Sequence, residues 1–424
     1  MKSVLLEDNP HWINSDAYNK FIQREILSKA VSFLGAKEIV ALIGARRVGK
    51  STIAKLLIKE LLKTTEAKNI FFINLEKPEF IPYKHDASYL NDIYDEYLKI
   101  ANPDMDKKIY FFIDEVQIFE NWEVFIKSKF ENSNIKFIIT GSNSSLLTSN
   151  YATVLTGRVL KLQIYSFNFK EFLDYKNIKY SSLLEQTANK IAISRAKDEY
   201  LKWGGYYSVI SNADEMLKKE QLKNIAEDII LKDIVPRYKI KNSQAIKDLF
   251  YYVVSNATTT INYSTLSKKI NIDAKMIKEY IGYFEDNFLV STISMYHNKL
   301  TEQIKSSKKL YINDNGFLNL GVKRSENRGN SLENLVFIIL SQKNENITYL
   351  KDTYEVDFFD GETLVQVSYD IDDEKTSKRE LNAFNYFDKI SSIRLLITYD
   401  VNESVDSVDI VSVENFILNL GGNI

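Results

Sequence analysis

The chain has 424 residues, of which 45% are hydrophobic and 26% charged, an ordinary composition for a globular protein. This length predicts roughly two to four domains. The 55 basic and 57 acidic side chains nearly balance, so the net charge indicates neither nucleic acid nor a membrane as a partner. The absence of cysteine excludes disulfides, thiol catalysis and thiolate zinc sites, and the three histidines lie far apart. With no apolar run long enough to span a membrane, we expect a cytoplasmic protein.

Residues 1–165 alternate short apolar runs with stretches of helical periodicity. The apolar runs cover residues 37–43, 69–75, 108–113, 135–140 and 158–165. Helical patterns cover residues 18–34, 52–62, 87–100 and 121–131. Strands that alternate with helices predict an α/β fold with a parallel sheet covered on both faces.

Three further regions follow, each with a different pattern. Residues 166–242 are helical with a break at Trp203, which predicts a helical lid. Residues 243–322 show three helices and then two strand-like runs, the element order of a winged helix-turn-helix. Residues 323–424 begin with a polar linker and then mix helices with strands, which predicts a small α/β domain.

The sequence GARRVGKS at residues 44–51 satisfies the phosphate-binding pattern G-x-x-x-x-G-K-[ST] between a predicted strand and a predicted helix. Its glycines allow a loop whose backbone N–H groups converge on phosphate. Lys50 is expected to reach the β- and γ-phosphates, and Ser51 is expected to offer its hydroxyl to Mg²⁺. The sequence therefore predicts a Mg-ATP site. Its expected nucleotide-binding residues are Gly44, Ala45, Arg46, Arg47, Val48, Gly49, Lys50, Ser51 and Thr52.

Polar residues also stand at the ends of other predicted strands. Asp114 and Glu115 follow an apolar run, so Asp114 is expected in the Mg²⁺ shell and Glu115 beside the attacking water. Ser142 follows the next strand, where it would hold the water or the γ-phosphate; turn chemistry alone is the other interpretation. Arg158 opens the last strand. It would stabilise phosphoryl charge in its own chain or in a neighbouring subunit, or else form a surface ion pair.

Four segments together resemble a known family: the loop, the acidic strand, ITGSNSSLL at 139–147 and LTGRVLKLQIYSFNFKEF at 155–172. They are similar to prokaryotic AAA-type ATPases, common in archaea, that have a C-terminal domain of unassigned function. The resemblance extends to WGGYYS at 203–208 and LKDIVPRY at 231–238, and so covers nearly the whole chain. It implies that the first domain binds ATP, with Ser142 as sensor and Arg158 as finger. Tyr206 departs from the family, where phenylalanine and proline tend to follow the glycines.

The predicted winged helix has two interpretations. Lys275 and Lys278 are expected to face outward, toward DNA, while Ile277, Ile281 and Phe284 pack inward. Residues 243–312 hold nine lysines and six acidic residues, a net of only +3. A protein-contact module is therefore the alternative to a DNA reader. The wing lysines that would contact DNA phosphates are Lys299, Lys305, Lys308 and Lys309.

The last domain resembles the restriction-endonuclease-like fold in the spacing of its polar residues. Glu333 lies on a predicted helix, Asp357 on a strand and Gln366 on the next strand. In that fold an acid, an aspartate and an E-x-K strand bind Mg²⁺ and activate water. Here Gln366 and Ser368 replace the expected acid and lysine, which predicts a fold without nuclease activity. The alternatives are an unrelated α/β domain, or an active nuclease completed by Lys375, Lys378 or Arg379.

These features predict an ATP-driven conformational switch: an α/β P-loop NTPase domain with a helical lid, a winged helix and a nuclease-like domain. One alternative is a DNA-processing ATPase whose last domain cuts. The other is a nucleotide-gated DNA-binding or scaffold protein with negligible turnover. ATP and Mg²⁺ are the expected ligands, and DNA, another protein or further copies of the chain are the candidate partners.

Overall fold

The computed structural model describes residues 1–132, 134–144, 155, 157–322, 327–405 and 407–419. The chain forms two compact units, Met1–Tyr165 and Ser166–Ile424. Across these described ranges, no helix is both long and apolar enough to cross a membrane. The finer division of the second unit into a lid, a winged helix and a terminal domain stays a prediction.

The first unit contains a sheet made of β1 (Ile39–Ile43), β2 (Ile70–Asn74), β3 (Ile109–Asp114), β4 (Ile135–Gly141) and β5 (Val159–Gln163). Its strand order is β2-β3-β4-β1-β5, and every neighbouring pair is parallel. All five residues of β1 are buried, as expected of a strand in a parallel sheet that is covered on both faces. The predicted α/β class, with the parallel sheet of a P-loop NTPase, is therefore confirmed for this unit.

Helices separate these strands in the described part of the first unit. The helix after β1 buries an apolar face that includes Ile53 and Leu57. The helix predicted over residues 18–34 is wrong at its start, because the chain forms turns before Leu27. In that stretch Tyr18 is buried and its hydroxyl lies 3.0 Å from Nδ1 of His11, so tertiary packing overrides the helical pattern. The helices are α1 (Lys2–Asp8), α2 (Leu27–Leu34), α3 (Lys50–Leu61), α4 (Tyr89–Ala101) and α5 (Trp122–Asn132).

The second unit begins with helices, as residues 166–242 predict. A π-helical turn, Ile229–Ile234, leads into the last of them. These helices are α6 (Phe169–Tyr175), α7 (Leu183–Ala188), α8 (Lys190–Trp203), α9 (Tyr207–Ile210), α10 (Glu215–Asp228) and α11 (Val235–Arg237).

Residues 243–322 then form three helices and an antiparallel pair of strands. The third helix buries Ile277, Ile281 and Phe284 and exposes Lys275 and Lys278, as its pattern predicts. One short helix lies in the connection between the two strands. The elements are α12 (Ser243–Ser255), α13 (Tyr263–Ile270), α14 (Ala274–Asp286), β6 (Val290–Ser294), α15 (Leu300–Lys305) and β7 (Lys308–Ile312).

The remaining residues form a mixed six-stranded sheet with helices. It consists of β8 (Thr348–Lys351), β9 (Glu355–Phe359), β10 (Thr363–Val367), β11 (Ile393–Thr398), β12 (Glu403–Val405) and β13 (Val408–Ser412) in the order β12-β13-β11-β10-β9-β8. Its core includes Val356, Leu364, Phe384 and Leu396. The helices are α16 (Arg328–Lys343), α17 (Glu374–Tyr386) and α18 (Val413–Asn419).

Candidate functional site

The loop of residues 44–51 leaves the carboxyl end of β1 and runs into α3. Two of its positions require glycine. Gly49 has a φ of 100°, which side chains rarely adopt, and a Cβ at Gly44 would lie 2.2 Å from the carbonyl oxygen of Ile164. Helix α3 begins at Lys50, so the N–H groups of its first turn, which lack helical partners, lie at the end of the loop. This geometry is suited to an anion.

The ammonium of Lys50 is held mainly by neutral groups of its own loop. The residue is only 4% exposed, and its Nζ donates to the carbonyl oxygens of Gly44 (3.1 Å) and Ala45 (3.0 Å). Oε1 of Glu115 lies 3.7 Å from the same nitrogen. Because charge-assisted bonds to phosphate are stronger than bonds to neutral carbonyls, a polyphosphate would compete well for this ammonium.

The buried carboxylate of Asp114 accepts hydrogen bonds from two hydroxyls. Oδ1 receives one from Ser51 Oγ at 2.9 Å and one from Thr140 Oγ1 at 2.6 Å. Burial, followed by the charge of Glu115, raises the pKa of Asp114 to about 6. A hydroxyl and a carboxylate are the hard oxygen donors that Mg²⁺ prefers, so Ser51 and Asp114 fit a magnesium ion. Within the described residues, no group of three or more acidic or histidine side chains is placed to hold a metal, so phosphate oxygens and water would complete the shell.

Glu115 has an unusual backbone. It lies directly after β3 with φ 54° and ψ 50°, a left-handed conformation that costs a non-glycine residue roughly 1–2 kcal/mol. Its N–H donates to Thr140 Oγ1 at 2.9 Å, which holds the residue against the end of β4. Strained residues of this kind cluster at functional sites, so this observation favours a role for Glu115 beyond ending a strand.

Ser142 lies at the same edge of the sheet, one residue after β4, and is buried. The side-chain amide of Gln117 joins it to Glu115, because Gln117 Nε2 donates both to Glu115 Oε2 and to Ser142 Oγ. The structure thus brings Lys50, Asp114, Glu115 and Ser142 together at the carboxyl ends of β1, β3 and β4. This is the edge where ligands of parallel α/β sheets bind.

The other loop residues have separate roles. Ala45 and Val48 are buried, and Arg46 pairs with Glu76 at 2.9 Å. Arg47 has a φ of 68°, so the loop also bends at a non-glycine position. Thr52 lies in the first turn of α3.

Sequence patterns missed three residues that support this site. Arg24, which precedes β1 in the sequence, is 5% exposed and donates to the carbonyl oxygens of Val48 (3.1 Å) and Tyr165 (2.9 Å). It therefore supports the loop from outside the phosphate-binding pattern. Thr140 joins Asp114 to Glu115, and Gln117 joins Glu115 to Ser142. Of these three residues, only Gln117 could have been suspected from the sequence, because it follows the acidic pair by two residues.

Arg158 lies away from this edge. It immediately precedes β5, whose first residue is paired with Ile39 at the start of β1, whereas the loop follows the end of β1. Arg158 is therefore at the amino edge of the sheet, about one strand length from the loop. There it forms an ion pair with Glu131 at 3.1 Å. This placement does not support a role for Arg158 at the phosphates of its own chain.

In the second unit, the three expected C-terminal site residues do come near one another, but a lysine lies among the acids. Lys309 Nζ contacts Glu333 (3.1 Å), Glu355 (2.7 Å) and Asp357 (3.1 Å). Tyr311 donates its hydroxyl to Glu333 at 2.9 Å. Burial alone would lower the pKa of Lys309, but the charges of Asp357, Glu333 and Glu355 outweigh it and raise the pKa. We call this set of residues the Lys309 cluster.

The Lys309 cluster corrects two expectations. Lys309 was expected to reach DNA phosphates from the wing, but it is 4% exposed and its ammonium is saturated with carboxylates. The alternative of an active nuclease required Glu333, Asp357 and Gln366 to be arranged as a metal site. Instead an ammonium occupies the centre of the acids, and Gln366 accepts from the backbone N–H of Asp357 (3.0 Å) and donates to Glu380 (2.6 Å). A mostly saturated hydrogen-bond network replaces the open coordination position that a catalytic metal needs.

Comparison with known proteins assigns the class. Residues 36–173 match the family described as "AAA domain", and residues 194–327 match a "Domain of unknown function (DUF8612)". The first match and the loop and sheet described above define an AAA-type P-loop ATPase. Among solved structures, the Walker-type ATPase paby2304 of Pyrococcus abyssi is similar over 71% of this chain and 96% of its own, with 14% identity and a TM-score of 0.40. That similarity is too low to support any functional inference.

Two relatives show the family across the whole chain. MJ1544, an uncharacterized protein of Methanocaldococcus jannaschii, is 32% identical over 415 residues, which span 94% of this chain and 89% of the relative. An uncharacterized protein of Haemophilus influenzae is 30% identical over 411 residues, which span 94% of this chain and 98% of the relative. The chain belongs to the family of these two proteins.

Proposed function

We propose that this protein binds Mg-ATP at residues 44–52, hydrolyses it, and uses turnover to change the conformation of its C-terminal unit. The observation that supports hydrolysis is the convergence of a loop lysine, a hydroxyl and two carboxylates at one edge of the sheet. Lys50, Ser51, Asp114 and Glu115 are linked there by contacts of 2.9–3.7 Å. Each group has a distinct task.

Lys50 and the N–H groups at the start of α3 bind phosphate. The ammonium exchanges the carbonyls of Gly44 and Ala45 for oxygens of the β- and γ-phosphates, and it neutralises charge as the γ-phosphoryl group leaves. Because neutral carbonyls are its present partners, this exchange does not strand a buried carboxylate.

Ser51 and Asp114 would hold magnesium, which when bound supplies a Lewis acid at the phosphate oxygens. In the structure the Ser51 hydroxyl donates a hydrogen bond to Asp114. The lone pairs of its oxygen therefore point elsewhere and are available to a metal ion. Thr140 keeps Asp114 in place through the second hydroxyl contact.

Glu115 would accept the proton of the attacking water, and Ser142 would contact either that water or the γ-phosphate. The left-handed backbone of Glu115 directs its carboxylate to the edge that also holds Lys50 and Ser142. A positioned general base typically contributes roughly 100-fold to 10,000-fold in rate.

Steady-state phosphate release tests this proposal. Glu115→Gln is expected to retain ATP and Mg²⁺ binding while kcat falls by roughly 100-fold or more, because the amide cannot take the proton. Asp114→Ala is expected instead to raise the Mg²⁺ concentration needed for half-maximal rate. A wild-type protein that binds ATP but releases no phosphate would leave a nucleotide-gated scaffold as the better interpretation.

Arg158 is proposed to act in a neighbouring subunit, and its place at the amino edge of the sheet, about one strand length from the loop of its own chain, supports this proposal. A mixture of Arg158→Ala chains with Lys50→Ala chains is then expected to recover turnover, since an intact loop can meet an intact arginine across an interface. The rate per chain should also rise with protein concentration. If mixing restores nothing and the protein is a monomer with ATP, Arg158 is a surface ion-pair partner of Glu131.

DNA binding is a further proposal for residues 243–322. The exposed Lys275 and Lys278 on α14 support it, although nine lysines and seven acidic residues give this region a net charge of only +2. ATP turnover measured with and without duplex DNA would show whether DNA is a partner. A protein partner would leave that rate unchanged.

A further inference from the structure

The side chain of Gln117 connects Glu115 and Ser142, which have separate roles in the proposed ATP hydrolysis. Its Nε2 donates to Glu115 Oε2 and, at 3.3 Å, to Ser142 Oγ. An amide nitrogen has two hydrogens, so both bonds can form together. The opposite amide orientation would set Gln117 Oε1 against the Glu115 carboxylate, and two acceptors repel each other.

The backbone fixes where this amide can reach. Gln117 lies in the 3₁₀ turn Val116–Ile118, which begins at the left-handed residue Glu115, and Val116 anchors the turn in the core. The N–H of Ile118 donates to the carbonyl oxygen of Glu115 at 3.1 Å, which closes the turn. Ser142 follows β4, whose residues pair in register with β3. The amide therefore spans the ends of two adjacent strands.

One atom of Gln117 lacks a partner. Its Oε1 is buried and accepts no hydrogen bond from the described protein atoms. Buried polar atoms are nearly always paired, by protein or by water, so this acceptor needs a donor that the described residues do not supply. A water molecule beside Glu115, the reactant in ATP hydrolysis, has an O–H group to donate.

The present contacts of Glu115 indicate how it would respond to phosphate in the loop. Its Oε1 lies 3.7 Å from Lys50 Nζ, and a nucleotide in the loop would draw that ammonium to the phosphates. Oε2 would then still be held by Gln117. The orientation of the carboxylate would thus depend on Gln117 at the moment when the water must be activated.

We propose that Gln117 is a positioning residue for hydrolysis, which fixes the Glu115 carboxylate and links it to Ser142. The two groups then respond together to the γ-phosphate. This inference rests on the proposed ATP hydrolysis and extends it to a residue outside the phosphate loop and the acidic pair. Gln117 acts through Glu115 and Ser142, and not directly on the nucleotide.

The test compares Gln117→Met, which keeps the length of the side chain and removes both donors, with a control, Glu120→Gln, at an exposed position three residues further along the chain. Phosphate release is measured against ATP concentration, and nucleotide affinity is measured separately. Gln117→Met is expected to lower kcat by roughly 10-fold to 100-fold while KM and nucleotide affinity stay within about threefold, the split expected when only transition-state interactions are lost. Gln117→Ala serves as the second variant if the methionine variant does not fold.

A double-mutant comparison tests the link to Ser142. If Gln117 acts through Ser142, the combination of Gln117→Met with Ser142→Ala should lower kcat little more than either change alone. The inference would be overturned if the effects of the two substitutions on kcat multiply, if kcat is unchanged in Gln117→Met, or if only KM changes.

Glu115→Gln is measured alongside to separate the role of Gln117 from the proposed function itself. If Glu115→Gln turns over like the wild type, the proposed function fails; if only Glu115→Gln is slow, this inference alone fails.

Discussion

Both units bury a lysine beside carboxylates, and the two lysines differ in what holds the ammonium. Lys50 in the first unit donates to two backbone carbonyls and has a single carboxylate oxygen at 3.7 Å. Lys309 in the second unit contacts three carboxylates at 2.7–3.1 Å. The side chains are almost equally buried, at 3% and 5% exposure. Burial therefore does not distinguish the two lysines, whereas the charge of their partners does.

This difference separates the proposed ligand site from a structural cluster. A polyphosphate can replace neutral carbonyls around Lys50 without leaving any buried charge behind. Around Lys309 the same exchange would strand Glu333, Glu355 and Asp357 in the protein interior. Lys309 also provides the positive charge that a divalent cation would bring to these acids. The Lys309 cluster thus holds an ammonium of the chain itself where the sequence offered a candidate metal site.

The largest expected effect is on stability, from Lys309→Met. Removing one partner of a buried ion pair leaves unpaired carboxylates and typically costs about 3–5 kcal/mol. Hydrogen exchange of the full chain at β7 and α16 measures this loss locally. Nucleotide binding should not change.

Lys351→Met is the matched control, because Lys351 also contacts Glu355, at 2.6 Å, but its side chain is 46% exposed. An exposed pair is worth at most about 1 kcal/mol. If Lys309→Met and Lys351→Met cost the same, the Lys309 cluster is not a structural ion network, and the contrast with Lys50 fails.

Lys50→Ala should show the opposite behaviour. Since its ammonium donates to neutral carbonyls of its own loop and its one carboxylate contact, with Glu115, is as long as 3.7 Å, we expect little loss of folding stability. ATP affinity should fall at least about 100-fold, or about 2.7 kcal/mol, because charge-assisted bonds to two phosphates are lost. Calorimetric titration of ATP into the folded variant checks this, with Lys59→Ala on the same helix as control. A folded variant with wild-type affinity would remove the assignment of the loop.

The sequence could place the residues of the first candidate site because its geometry is local. A strand, a glycine loop and a helix that follow one another place Lys50 and Ser51 with little help from the rest of the chain. Strand ends in a parallel sheet meet at one edge, so Asp114, Glu115 and Ser142 could be placed there too. Arg24 and Thr140 could not be predicted, since they act through contacts with residues 24 and 26 positions away.

The second site could not be predicted for the same physical reason. Glu333, Asp357 and Gln366 have a suggestive spacing, but their chemistry depends on Lys309, which comes from β7, 24 and 48 residues before the two acids. A lysine on a strand of an apparent wing is also expected to be exposed. Only the packing of β7 against α16 and β9 shows that the Lys309 side chain points toward the carboxylates of Glu333 and Asp357.

The smallest expected effect concerns the pH dependence of the Lys309 cluster. Burial, followed by the charge of Asp357, raises the pKa of Glu333 above its ordinary value of 4.5, and these causes outweigh the opposing contacts with Lys309 and Tyr311. The folded protein therefore keeps a proton on Glu333 that the unfolded chain loses above about pH 4.5.

This proton makes a contribution to stability that is fully present below pH 4.5 and is lost as pH rises through the raised pKa, by at most about 1.4 kcal/mol per pH unit. Glu333→Gln mimics the protonated form and cannot titrate. We expect hydrogen exchange at α16 to show opening free energies that fall between roughly pH 5 and 8 in the wild type but are flatter in Glu333→Gln. Glu362→Gln, at an exposed position, is the control and should keep the pH dependence of the wild type.

If the opening free energy of Glu333→Gln falls with pH as steeply as that of the wild type, Glu333 is ionised in the folded protein, with Lys309 and Tyr311 dominating its environment. In that case the Lys309 cluster would be a fully charged network and not a partly protonated one.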